Sequence, residues 1–208
     1  LVNNPTYYGI CSDLRKIVEI VHRHGMKVLV DEAHGTHFYF GEGLPPSAMS
    51  CGADMASVSV HKTGGSLTQS AILLLGKGID PNYVRQIINL TQTTSASYLL
   101  MVSLDLARQN LALHGREFYA KTVEFADYAR KEINAIGGYY AFGEELCDGK
   151  AFYAFDKTKL SVHTRAMGLA GIEVYDLLRD EYDIQIEFGD IGNILAIITG
   201  GDRALEIE

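Results

Sequence analysis

The stretch SVSVHKTGGSLTQS, from Ser57 to Ser70, sets a single lysine, Lys62, between alternating apolar residues and a glycine pair. Lysine is costly to bury. A strand that ends in His61-Lys62 therefore ends in chemistry or in water. A second candidate, Asp31, closes the run KVLVD, whose continuous apolar residues read as a strand buried on both faces. Ligands of open α/β sheets sit outside the carboxyl ends of strands, so Asp31 and Lys62 would stand at one edge. Each alone has a bland reading, Asp31 as a cap or loop carboxylate and Lys62 as a solvated lysine. Together they suit pyridoxal phosphate chemistry. The Lys62 amine would form a Schiff base with the cofactor aldehyde. The Asp31 carboxylate would keep the pyridine nitrogen protonated, so that the ring draws electrons. Ala33 is small enough to let a flat ring lie against the backbone.

The elements that must position these residues follow from periodicity. Leu14, Ile17, Val18 and Val21 fall on one helical face. Ser12 or Asp13 would cap that helix and Gly25 would end it. DMASVSV and AILLLG read as further strands, with a glycine-, proline- and aromatic-rich loop from Gly35 to Ser50 before them. Alternating strands and helices imply an α/β fold with a largely parallel sheet. From Pro81 the pattern turns helical: NYVRQIINL, a polar break TQTTSAS, then two long segments, Tyr98 to His114 and Arg116 to Ile136. Gly137-Gly138 marks the expected boundary. Residues 1–136 would form part of a large domain and 137–208 a small α+β domain. Its expected elements are a strand at Phe152–Phe155, a helix at Ile172–Tyr182, and strands at Ile184–Phe188 and Ile194–Thr199.

Composition narrows the function classes. The 208 residues are 47% apolar with a formal net charge of -8. That balance argues against a general nucleic-acid binder and against attraction to anionic membranes. No apolar run is long enough to span a bilayer as a helix. Three cysteines at irregular spacing fit free thiols in a reducing, cytoplasmic setting. The chain opens at Leu1 inside a strand pattern, so it is expected to be a piece of a longer polypeptide.

VDEAHGTHF followed by SVSVHKTGGSLTQSAILLLG resembles the pyridoxal-phosphate-dependent Orn/Lys/Arg decarboxylases of the aminotransferase-like fold type I group. NNPTYYGICSDLRKIVEIVHRHG, TQTTSASYLLMVSLDLAR, FDKTKLSV, GLAGIEVYDLLRDEYDIQIE and NILAIITGGD extend the likeness over nearly the whole chain. The resemblance implies α-decarboxylation of lysine, ornithine or arginine, with Lys62 as the Schiff-base lysine and Asp31 at the pyridinium nitrogen. It places Ala33 on the ring face and His34 near the phenolic oxygen. It assigns Ser59 and His61 to the phosphate, and Thr93, Thr94 and Ser95 to the phosphate of a neighbouring subunit in a homodimer. Glu187 would receive the substrate's distal cation. Ala96 stands where the family pattern has proline, and the family's N-terminal half, with its phosphate loop, is absent from this stretch. The piece alone is therefore expected to bind cofactor weakly and to be inactive. Another type I reaction, transamination or elimination, or a non-catalytic homologue are the alternatives.

Other groups have quieter readings. His34 and His37 form H-x-x-H, but no third ligand accompanies them, so no metal site is expected. His22 and His24 read as surface residues at a helix end. Tyr7 and Tyr8 read as packing, and Gly64-Gly65 as a turn.

Overall fold

The computed structural model describes residues 1–208. The chain begins with β1 (Val2–Asn3) and β2 (Ile10–Cys11), then α1 (Leu14–Arg23), capped by the Asp13 side chain, which accepts from Lys16 N. Gly25, at φ +68°, turns the chain out of that helix into β3 (Leu29–Asp31). β4 (Met55–Val58), the short helix α2 (Val60–Thr63) and β5 (Ile72–Leu75) follow. The sheet order is β1-β3-β4-β5; the first three strands are parallel and β5 runs antiparallel to β4. The fold is thus α/β with a largely parallel sheet, as expected.

Only one face of this sheet is covered. Leu14 and Val18 of α1 pack on Val28, Val30, Ala56 and Val58. Leu29, Ser57 and Leu73 point the other way and are exposed. The expectation of a strand buried on both faces is corrected here: within this chain α1 covers one side and no element covers the other.

α3 (Pro81–Thr91) buries none of its residues. α4 (Tyr98–Ile136) is one helix of 39 residues where two were expected. Gly115, the anticipated break, lies inside it. Its missing side chain serves packing instead, because a Cβ there would sit 2.8 Å from Phe40 Cβ.

Beyond Gly137 come β6 (Tyr140–Ala141), β7 (Ala154–Phe155), β8 (Lys159–His163), α5 (Gly171–Tyr182), β9 (Phe188–Gly189), β10 (Asn193–Ile197) and α6 (Ala204–Ile207). β6, β8, β10 and β9 form an antiparallel sheet in that order, against which Ala126 and Ala129 of α4 pack. Two of its strands, β6 and β8, were not anticipated. β7 belongs elsewhere: Phe155 pairs with Ile10 and Ala154 with Cys11, a ribbon that ties the start of the chain to the segment before β8. The strand expected at Ile184–Phe188 is reduced to β9.

Glu32, directly after β3, is fully buried. It accepts from Tyr39 Oη at 2.5 Å and Ala48 N at 2.7 Å, pinning the loop that follows. Burial pushes its pKa from 4.5 to about 7 against those two bonds. A carboxyl that holds its proton in the fold and loses it when unfolded makes stability fall as pH rises from about 4.5 to about 7, by about 3 kcal/mol. His34, held down to about 4 by burial and then by the charges of Lys159 and Lys62, gives the opposite slope below its unfolded value. The comparison of the wild-type chain with Glu32→Gln isolates the carboxyl. In urea titrations, the variant should gain on wild type by about 3 kcal/mol between pH 5 and pH 8. Identical pH profiles would remove Glu32 as the cause.

Candidate active site

β3 and β4 leave the sheet at the same edge, since Asp31 is paired with Ser57. Glu32 N then donates to Ser57 O at 2.9 Å, and Thr36 Oγ1 to Ser59 O at 3.0 Å. The segments Asp31–Thr36 and Ser59–Thr63 are therefore stitched side by side. Lys62 does not end a strand. β4 stops at Val58, Ser59 is extended, and Lys62 lies in α2, with its N–H donating to Ser59 O and Gly64 N to Val60 O.

This turn aims Lys62 Nζ at His34 Nε2, 3.0 Å away. His34 is buried, and its depressed pKa keeps the ring neutral at neutral pH. Nε2 accepts from Lys62, so the ring hydrogen falls on Nδ1. Asp31 is exposed at the strand end; its Oδ1 accepts from Ala33 N at 3.1 Å. The Tyr7 ring stands edge-on to His34 at 4.4 Å, and its hydroxyl donates to Glu187. Burial, then that bond, pushes the Tyr7 phenol up to about 12. Tyr7 therefore remains a donor, and Glu187 is carried to the cluster from the C-terminal part of the chain.

The turn bearing Lys62 is braced from behind. His37 Nδ1 meets Thr63 Oγ1 at 3.2 Å and His37 Nε2 meets Asp156 Oδ2 at 2.9 Å. Tyr119 Oη donates to Thr63 O at 2.7 Å. Burial alone would raise the Asp156 pKa; the charge and hydrogen bond of His37 and the charge of Lys159 outweigh it and hold Asp156 at about 2. His37 is thus engaged with an acid and a hydroxyl.

Asp31, Ala33, His34, Ser59, His61 and Lys62 lie on the two stitched segments, and Glu187 joins them through Tyr7. His61 Nδ1 meets Ser70 O at 2.9 Å, which leaves its Nε2 without a partner in that contact. Thr93, Thr94 and Ser95 stand apart, exposed between α3 and α4; Ser95 N donates to Thr93 Oγ1. Tyr7 and Tyr8 pack on Phe188, as read from the sequence, and their hydroxyls also donate to acids, Tyr7 to Glu187 and Tyr8 to Asp190. His22, read as surface, meets the buried Asp54 at 2.7 Å.

The profile of the Orn/Lys/Arg decarboxylase major domain matches residues 1–205. The chain belongs to the Orn/Lys/Arg decarboxylase family. It is 49% identical to a protein named arginine decarboxylase of Halalkalibacterium halodurans, over the whole of this chain and 43% of that protein. To the arginine decarboxylase of Bacillus subtilis it is 47% identical, over 97% of this chain and 41% of that one. The chain thus spans under half the length of these family members. Among solved structures, the lysine decarboxylase of Francisella novicida superposes with a TM-score of 0.81 at 19% identity, over 99% of this chain and 34% of that one. The constitutive lysine decarboxylase of E. coli gives 0.77 at 18%, with the same coverage. These superpositions establish the fold.

Proposed function

We propose that the full-length protein decarboxylates a basic amino acid, arginine first, at its α-carbon, using pyridoxal phosphate. The carrying observation is Lys62 Nζ against a neutral His34 at the sheet edge where Asp31 stands. The family membership and relatives named arginine decarboxylase support the reaction and the order of substrates. The residues fit the cofactor: a lysine amine and a carboxylate share the edge, and Ala33 leaves a flat face between them. When bound, the cofactor supplies an electron sink for the pair left by the departing carboxylate. Lys62 would hold the cofactor through its amine, and Asp31 would face the ring nitrogen and favour its proton. His34 steers the Lys62 amine, and its neutral ring adds no second charge there. Ser59 and His61 bind the phosphate. Glu187, oriented by Tyr7, takes the distal cation of the substrate. Free cysteines at Cys11, Cys51 and Cys147 suit a reducing cytoplasm, and no helix is long and apolar enough to cross a membrane.

Supplied with arginine, the full-length protein should release CO2 and amine in equal amounts and form no keto acid. Keto acid without CO2 would make it a transaminase on the same frame, and neither product would leave a non-catalytic homologue.

We also assign residues 1–136 to the cofactor-binding domain and 137–208 to the small domain, and we infer a homodimer with shared sites. Tyr83, Leu90, Tyr98, Leu99 and Met101 are exposed beside Thr93–Ser95, an apolar surface suited to a partner. The three hydroxyls would then reach the neighbour's phosphate. Mixing Lys62→Ala subunits with subunits altered at all three hydroxyls should restore activity that neither has alone, since one intact site forms per mixed dimer. Mixed dimers that form and stay silent would refute the sharing.

A further inference from the structure

Two buried side-chain polar atoms in the chain lack a hydrogen-bond partner: His34 Nδ1 and Lys159 Nζ. Both belong to one cluster. Lys159 opens β8 and has no exposed surface. Gly9, at φ +90°, packs on its stem; a Cβ there would sit 2.8 Å from Lys159 Cγ. Two residues earlier, the Tyr7 ring covers His34, and His34 Nε2 meets Lys62. The Lys159 stem therefore lies under the Tyr7–Gly9 turn that borders the candidate site.

The acids nearby are already engaged. Asp156 Oδ1 accepts from Thr158 N and Oγ1, and Oδ2 takes His37. Glu187 takes the Tyr7 hydroxyl. Burial pulls the Lys159 pKa down; Asp156 and Glu187 draw it up, and Lys62 pushes it down again. A buried cation without a partner is among the most expensive groups a fold can hold. Neither β8 nor the Asp156 turn draws a side-chain bond from it.

We propose that Lys159 seats the α-carboxylate of the substrate, with His34 Nδ1–H as the second donor, beside the Lys62 amine. This rests on the basic amino-acid reading above. That reading directs the phosphate to Ser59 and His61 and the distal cation to Glu187, so the α-carboxylate is the one anion left for a buried amine. A cation at that carboxylate fixes its direction and contributes to binding. It does not assist departure as neutral CO2, so its loss should appear in KM more than in kcat.

The test uses the full-length holoprotein and calorimetric titration with two probes, arginine lacking its α-amine and the amine lacking the carboxylate. In Lys159→Met, the dissociation constant of the carboxylate probe should rise at least about tenfold, the loss of a charge-assisted hydrogen bond. The amine probe should stay within about twofold, and the ligand-free melting temperature should rise, because an unpaired buried charge has gone. An unchanged carboxylate affinity, or equal losses for both probes, overturns the assignment while the reading of the site stands. Failure of Lys159→Met to fold overturns it too, by assigning the lysine to the fold. Binding of neither probe to the unsubstituted protein overturns the basic amino-acid reading and this assignment with it.

Discussion

Lys62→Ala in the full-length protein will lose turnover and covalently held cofactor together, with stability nearly unchanged. Lys62 is exposed and its side chain makes one recorded bond, to His34, so its removal costs the fold little. The chemical cost is large, because no other lysine lies on the two stitched segments that carry Asp31, Ala33 and Lys62. A fall of about 10⁴-fold or more in kcat is expected when a covalent attachment is lost. Borohydride reduction of the unsubstituted holoprotein should leave pyridoxyl mass on the peptide carrying Lys62. Two lysines could compete, Lys77 on the loop after β5 and Lys159 under the Tyr7 turn. Label on either would end the assignment, and Lys159 would be the informative failure, since its buried amine has no partner.

The pairing of Asp31 with Lys62 was legible because strand ends in a parallel sheet share an edge whatever the loops do. The local form around Lys62 was not. SVSV alternates, and periodicity carries the strand to the lysine, whereas Ser59 O captures Lys62 N and turns the chain into α2 two residues before it. β8 was missed for a related reason. In KLSVH the apolar residues Leu160 and Val162 face the α4 side, while Lys159 and Ser161 are buried on the other face. A buried lysine in the first position reads as a loop residue until the structure shows what covers it.

The supporting groups of the site come from far along the chain, and spacing carries no trace of them. His37 and Asp156 are 119 residues apart, Tyr7 and Glu187 180. FDKTKLSV carries part of the family resemblance, but nothing in it marks Asp156 as the partner of His37. Gly115 misled in the opposite sense. A glycine between two periodic segments resembles a break, yet the residues on either side keep one helical phase, and the glycine admits Phe40. The exposed Leu29 and Leu73 show the limit of pattern for a strand whose second face meets no element of this chain.

Asp31→Asn will cut kcat by about 10³-fold or more while leaving the fold in place. Asn keeps an oxygen for Ala33 N, the bond that Asp31 Oδ1 makes at 3.1 Å, so the turn that sets Ala33 and His34 survives. Asp31 is exposed in this chain, and a surface substitution of equal size shifts stability within about 0.5 kcal/mol. What changes is the charge facing the ring nitrogen. A carboxylate favours a proton there through a charge-assisted hydrogen bond, and an amide does not. Without that proton the ring withdraws electrons poorly at the moment the carboxylate departs, and the loss falls on the transition state. The expected signature is therefore a fall in kcat with KM changed little and cofactor still attached at Lys62 by mass. Activity within tenfold of wild type, with attachment intact, would remove Asp31 from the pyridine nitrogen. Loss of attachment itself would instead make the carboxylate an anchor for the cofactor.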